Sequence, residues 1–181
     1  MSVVTDYDPS LPAVQRFRGD YAYLSNFYNL NHRITDSVGI TYYTAENYYQ
    51  AQKFQCRHNT YEEYGNIDGG FMHRTRISKL SPSAAKEYTR GPNQFREASM
   101  RPDWEQVKVE KMVEAVFLKF TKNPDLAKRL IATGHVELIE GNTWGDEFWG
   151  RHIVTGKGEN MLGRILMALR TDFQNSAWSP T

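Results

Sequence analysis

The sequence predicts a compact, mainly helical α+β domain, and three observations carry that expectation. The chain has 181 residues, a length that fits one domain. Capped segments with helical periodicity dominate it, while its extended segments are short. The extended segments do not alternate with the helices in a βαβ rhythm, which argues against a parallel α/β sheet. Residues 1–16, with Pro9 and Pro12 and little apolar periodicity, are expected to form a loose leader. Residues 17–40 mix aromatics with the turn formers Gly19, Asp20, Asn26, Asn29, Asn31 and Gly39, so short strands and turns are expected. Residues 40–43 predict a strand, and Thr44 is a good N-cap for a helix over 45–57. Ser81 caps a second helix over 82–89. Pro102 at a first helical position, with Asp103 and Glu105 behind it, opens a long helix to about residue 121. Its Trp104, Val107, Met112, Val116, Phe117 and Phe120 recur near helical spacing. A helix over 124–133 is stopped by Gly134. Residues 136–140 alternate as a strand does, and 142–158 form a Gly- and Trp-rich loop. A final helix over 159–173 turns Met161, Leu162, Ile165, Leu166 and Leu169 inward. One domain is therefore expected over 17–175, followed by a tail over 176–181.

Composition excludes several function classes. Hydrophobic residues make up 40% of the chain, charged residues 24% and aromatics 13%, with a net charge of +1. So even a balance weighs against a protein that lives on non-specific phosphate attraction, though it leaves room for a local basic patch. Mean hydropathy is −0.65, and the longest aliphatic run covers only residues 165–169. No membrane span is expected. The N-terminal stretch is polar, with Asp6 and Asp8, and is not expected to be a signal peptide. The lone Cys56 cannot close an internal disulfide. A soluble protein of the cytoplasm or another intracellular compartment is expected. His32, His58, His73, His135 and His152 stand too far apart in sequence for a zinc motif, and Cys-x-x-Cys is absent, so no metal site is expected. No G-x-S-x-G, P-loop or dinucleotide fingerprint is present, and no cofactor is implied.

Three blocks bring charged and aromatic residues together. In the first, Glu46, Tyr49, Gln50, Lys53 and Phe54 follow an i, i+3, i+4, i+7, i+8 pattern and share one helix face. Glu46 in a partly apolar cleft would suit acid or base work. Lys53 would hold an anion or act as an amine nucleophile. The plain alternative is an exposed helix with both charges solvated. The second block, residues 142–150, holds Trp144, Phe148 and Trp149 around Asp146, a platform on which a flat ring could stack. Its plain alternatives are Trp149 as a core plug and Asp146 as a turn former. The third is Gly156-Lys157-Gly158 before a helix start near Asn160. It would offer backbone N–H groups and an ammonium to a phosphate, unless it is only a flexible turn.

The ordered motifs resemble the YbiA-like, NADAR family. They are Phe17-x-Gly19, Leu24-Ser25-Asn26-Phe27-Tyr28, and Tyr42-x-x-Ala45-Glu46-Asn47-Tyr48-Tyr49-Gln50-Ala51-x-Lys53-Phe54. Further on come Arg101-x-Asp103-Trp104, Lys119-Phe120, Asp146-x-x-Trp149-Gly150, and Gly158-x-Asn160-x-Leu162-Gly163-x-x-Leu166-Met167-x-x-Arg170. Asn47 departs from the pattern, which often has His after the Glu. The resemblance covers residues 17–170. It implies N-glycosidase activity on a nucleotide-like substrate. That substrate is either ADP-ribosylated guanine, free or in nucleic acid, or an early riboflavin-pathway intermediate.

It carries over Glu46, Trp104 and Asp146 as functional residues, with Lys53 a further candidate; Glu46, Asp146 and Lys53 are expected to be catalytic. Trp104, Trp149, Asn26, Tyr49, Gln50, Lys157, Gly158 and Asn160 are expected to bind substrate. Neither a membrane nor an obligate protein partner is implied. A binding module for ADP-ribose or a modified base that does not cleave it is the alternative. A purely structural protein would leave Glu46 and Asp146 exposed with no cleft.

Overall fold

Short capped helices carry most of this mainly helical α+β fold. The computed structural model describes residues 13–56, 69–90 and 99–176. The expected leader up to residue 12, the expected helix end at Arg57, His58 and the tail from residue 177 lie outside the described residues. Among those described, the strands are β1 (Ala13–Val14), β2 (Ile34–Thr35), β3 (Thr41–Tyr42), β4 (Glu137–Leu138), β5 (Gly141–Asn142) and β6 (Arg151–His152). The α-helices are α1 (Ala45–Ala51), α2 (Gly69–Ser78), α3 (Pro82–Tyr88), α4 (Trp104–Lys122), α5 (Pro124–Ala132) and α6 (Met161–Asn175), and a 3-10 helix covers Gly19–Leu24. They pack as two compact units. One joins residues 13–25 to 128–176, and the other comprises the described residues from 26 to 127. The boundary falls inside α5.

In the 26–127 unit, α1 packs on α2, α3 and α4. Thr44 caps α1 as its sequence predicts: its Oγ1 accepts from the Asn47 N–H at 3.1 Å. Asn47 is fully buried and its Nδ2 donates to the carbonyls of Ile77 and Leu80, both at 2.8 Å. The side chain thus closes the end of α2, where orphan carbonyls otherwise stand open. All seven residues of α1 are buried, so it is not a half-solvated surface helix. It is also shorter than its sequence predicts. The Lys53 and Phe54 N–H groups bond three residues back, to Gln50 and Ala51, which tightens the last turn. Phe54 then leaves as an extended residue, bridged antiparallel to Met100.

The reason lies in α2, a helix that apolar periodicity does not reveal. Its buried stripe is Gly70, His73, Arg74 and Ile77, helical in spacing but mostly polar. Arg74 Nε and Nη2 both donate to the Phe54 carbonyl, at 2.9 and 2.7 Å. Its Nη1 meets Asp36 Oδ2 at 3.2 Å, with both side chains buried. Asp36 also accepts from the Val38 and Ile40 N–H groups and the Tyr42 hydroxyl, which holds the antiparallel β2–β3 hairpin. The α4 helix starts at Trp104 rather than at Pro102, after an Asp103 N-cap whose carboxylate pairs with Arg101. Phe117, one of the residues at helical spacing, is 48% exposed; Met112, Ala115, Val116, Lys119 and Phe120 form the buried face.

In the other unit, β1 pairs in parallel with β4, Val14 opposite Leu138. Residues 13 and 14 are therefore strand, where the sequence predicts leader. β5 and β6 pair in parallel inside the segment expected to be loop. The α6 helix packs on β4 through Leu162, Ile165, Leu166 and Leu169, while Met161 is only half-buried. A side chain at Gly163 would run into the Leu138 carbonyl and Asn160, so only glycine admits this approach. Among the described residues no helix is long and apolar enough to cross a membrane.

Removing one partner of a buried ion pair leaves an uncompensated charge. Asp36→Ala is expected to lower unfolding stability by about 3–5 kcal/mol, measured by urea denaturation. A loss below about 1 kcal/mol, the scale of a surface pair, would contradict the anchoring role.

Candidate active site

Glu46 sits in the first turn of α1 and is 5% exposed. Its backbone N–H donates to the Asn26 carbonyl at 2.9 Å. One turn on, Gln50 Nε2 donates to Glu46 Oε1 at 2.7 Å. Gln50 Oε1 in turn accepts from the Thr89 hydroxyl, and Thr89 Oγ1 accepts from Lys53 Nζ at 3.0 Å. Glu46, Gln50, Thr89 and Lys53 thus form one continuous chain of hydrogen bonds. Gln50 faces protein with both ends of its amide, which makes it a spacer within the chain, where the sequence predicts a substrate contact.

Lys53 is partly buried between this chain and Trp104, its Nζ 5.6 Å from the indole centroid. Burial pushes its ammonium down to about 8, opposed by Glu46 and Glu105 and reinforced by Lys86 and Arg90. About a fifth of this amine is then neutral at pH 7.4, far more than of a solvated lysine, a condition for nucleophilic work. Trp104 packs against buried Tyr49 at 5.1 Å between centroids. Asn26 is 5% exposed; its Nδ2 lies 3.0 Å from Met112 Sδ, and its Oδ1 is buried with no hydrogen-bond partner in the structure. The structure therefore gathers Glu46, Tyr49, Gln50, Lys53, Trp104 and Asn26 in the 26–127 unit.

Asp146, Trp149, Lys157, Gly158 and Asn160 belong to the other unit. Asp146 Oδ1 accepts from the Trp149 N–H at 3.0 Å, and its backbone groups bond to Asn142. Asp146 is thus also the turn former that the sequence left open. Trp149 is half-buried, edge-on to Phe148 at 4.8 Å, while Trp144 is 59% exposed. The expected phosphate corner is differently employed. The N–H groups of Glu159, Asn160, Met161 and Leu162 donate to the carbonyls of Glu147, Gly150, Phe148 and Trp149. A loop of the same chain occupies the donors that a phosphate would need. Asn160 is 1% exposed: its Oδ1 accepts from the Glu140 N–H and its Nδ2 donates to the Leu138 carbonyl, both at 2.9 Å. It is a strut of the fold. Gly158, at φ +128°, lies against the Gly150 carbonyl and Arg151 Cα, a close approach that explains the glycine. Lys157 is exposed.

Thr89 carries no local motif. It is the C-cap of α3 and meets Gln50 only through tertiary packing, so no sequence signal marks it. Among the described residues no three His, Cys, Asp or Glu side chains gather to hold a metal ion.

The displaced Lys53 has a consequence for stability. From about 8 in the folded chain to 10.5 in the unfolded one, the unfolded state binds the extra proton, and stability rises with pH across that window. The wild type is therefore expected to gain on Lys53→Met between pH 8 and 10.5, and to hold a constant difference below it. Urea denaturation across this range checks it; a flat difference throughout refutes the displaced amine.

Comparison with known proteins extends this geometry. The NADAR domain model matches residues 15–174, across both units. A riboflavin biosynthesis protein of Vibrio vulnificus is 35% identical over 158 residues, 87% of this chain. The chain spans only 37% of that relative's length, and 26% of a chloroplastic riboflavin biosynthesis protein of Zea mays. The N-glycosidase YbiA of Shigella boydii is 35% identical over 152 residues, covering 83% of this chain and 81% of that one. The NMR structure of the E. coli protein YbiA superposes with a TM-score of 0.65 at 32% identity, over 86% of this chain and 80% of the other. With a family model over nearly its whole length, relatives that match it almost end to end and a shared mainly helical fold, this chain belongs to the NADAR domain family.

Proposed function

We propose that this chain is an N-glycosidase, a hydrolase that cleaves the bond between a sugar C1 and the nitrogen of a nucleotide-like substrate. The observation that carries the reading is the buried chain joining Glu46 to Lys53 beside the Tyr49–Trp104 pair. It puts a carboxylate and a partly neutral amine within one small region of the fold, next to aromatic surface. The relatives named N-glycosidase support the reaction class. Taking residues 17–175 as one catalytic domain rests on the family match, which runs through both units.

N-glycosidic cleavage passes through an oxocarbenium-like state, in which the leaving base takes up a proton and C1 takes up a nucleophile. Glu46 supplies acid or base chemistry from α1; Asp146, in the other unit, is the second candidate carboxylate. Lys53 Nζ attacks C1 as the C1–N bond breaks and the base leaves with its proton; the ring oxygen then leaves C1 as a hydroxyl, giving an imine that water hydrolyses to the free sugar and the amine. Trp104 stacks on the base, and the unpaired Asn26 Oδ1 accepts a hydrogen bond from it. Of the two substrate classes the resemblance implies, the riboflavin-pathway intermediate gains support from the relatives named riboflavin biosynthesis proteins. ADP-ribosylated guanine is the second arm of the test.

Incubation with each substrate, followed by chromatography of the released base and sugar, tests the reaction and chooses between them. Release from neither, with tight binding of either, would favour a non-cleaving binding module. Glu46→Gln is expected to lower turnover by about 10²–10⁴-fold while the circular dichroism spectrum is unchanged. Retention of more than about half the activity would remove Glu46 from the chemistry. Borohydride added during turnover is expected to trap a sugar adduct on Lys53 that Lys53→Arg lacks, because a guanidinium is not nucleophilic at neutral pH. No adduct, together with an active Lys53→Arg, would make Lys53 an anion clamp.

A further inference from the structure

The direction of the buried chain follows from what its end residue can accept. Glu46 Oε1 accepts from Gln50 Nε2, 2.7 Å away. That leaves Gln50 Oε1 facing Thr89, and an amide oxygen cannot donate. Thr89 must therefore give its single hydroxyl hydrogen to Gln50. Only its oxygen lone pairs remain for Lys53 Nζ, at 3.0 Å. The Lys86 carbonyl, 3.1 Å from Thr89 Oγ1, is the more distant claimant on the same hydrogen. Thr89 is 8% exposed, so water does not readily replace its oxygen.

We infer that Thr89 is a positioning residue for Lys53. Its hydroxyl acts toward Lys53 purely as an acceptor, locked in that sense by Gln50 and Glu46. One N–H of the amine is held on Thr89 whether Lys53 is charged or neutral. In the neutral form Thr89 has no hydrogen to offer the nitrogen, so the amine lone pair is not quenched from that side and stays available for attack. The charged groups acting on Lys53 are Glu46 on α1, Lys86 on α3, Arg90 just after it and Glu105 on α4, beside the Trp104 ring. A substitution at Thr89 removes none of these four charges. The catalytic weight of the arrangement rests on the N-glycosidase reading; the titration of Lys53 does not, and can be followed without substrate.

Competitive acetylation with acetic anhydride over a pH series, read by mass spectrometry at Lys53, reports the midpoint at which its amine becomes neutral. Thr89→Val keeps the shape and removes the acceptor. A hydrogen bond to the charged amine is worth more than one to the neutral amine, so the midpoint is expected to fall by about one pH unit. Thr89→Ser restores the oxygen and is expected to return the midpoint to the wild-type value. Should Thr89→Val fail to fold, Thr89→Ala also removes the acceptor and adds no titratable group, and is expected to give the same fall. A folded Thr89→Val or Thr89→Ala with the wild-type midpoint would overturn the inference, as would a Thr89→Ser midpoint that stays with the valine variant.

Discussion

The buried guanidinium of Arg74 is the constraint on which the 26–127 unit depends. Two of its nitrogens close on the Phe54 carbonyl and a third on Asp36, which itself gathers the β2–β3 turn and the Tyr42 hydroxyl. One side chain of α2 thereby ties the exit of α1 to a hairpin. On the other side of the same backbone, the Gln55 N–H donates to the Ser99 carbonyl and the Arg101 N–H to the Lys53 carbonyl. Residues 53–55 are thus held from two directions. Lys53 gains a fixed backbone just where α1 ends, and its side chain is delivered to Thr89 rather than trailing into solvent. A buried charge of this kind is costly unless fully bonded, and here its donors have good partners.

The second unit solves a different problem, the open N-terminus of α6. Four successive N–H groups there would remain orphans, and the carbonyls of residues 147–150 take them up. Asn160 completes the joint by bonding with its amide to Leu138 and Glu140. Glycine-rich sequence before this helix serves close packing of backbone on backbone, with Gly158 against Gly150 as the tightest case. A run that reads as an anion cradle is a self-filled one. Asp146 has a part in the same construction through its bond to the Trp149 N–H, so any chemical role it plays comes from a residue that also holds its loop.

The chemistry of the α1 region comes from orientation as much as from residue type. A buried carboxylate, an amide, a hydroxyl and an amine in series permit one pattern of donors and acceptors once the carboxylate is charged. Burial then makes the amine partly neutral while Glu46 limits how far the shift goes. Neither residue alone would do this: a solvated lysine stays charged.

By itself the sequence determined what local physics can encode. Thr44 and Ser81 mark their helices because an N-cap acts within three residues, and both caps form. The period of α6 and the aromatic content around Glu46 were legible for the same reason, and the ordered motifs were enough to identify the family. Tertiary structure alone decided where α1 stops, because the cause is Arg74, twenty residues away in sequence. It alone exposed α2, whose inward stripe is polar and leaves no apolar signature. It gave Asn160 and Gln50, expected to bind substrate, hydrogen-bond partners within the chain, and it brought Thr89 to Lys53 across 36 residues. Hydrogen bonds between distant residues depend on how helices pack, and packing is not written in any window of the chain short enough to be read as a motif.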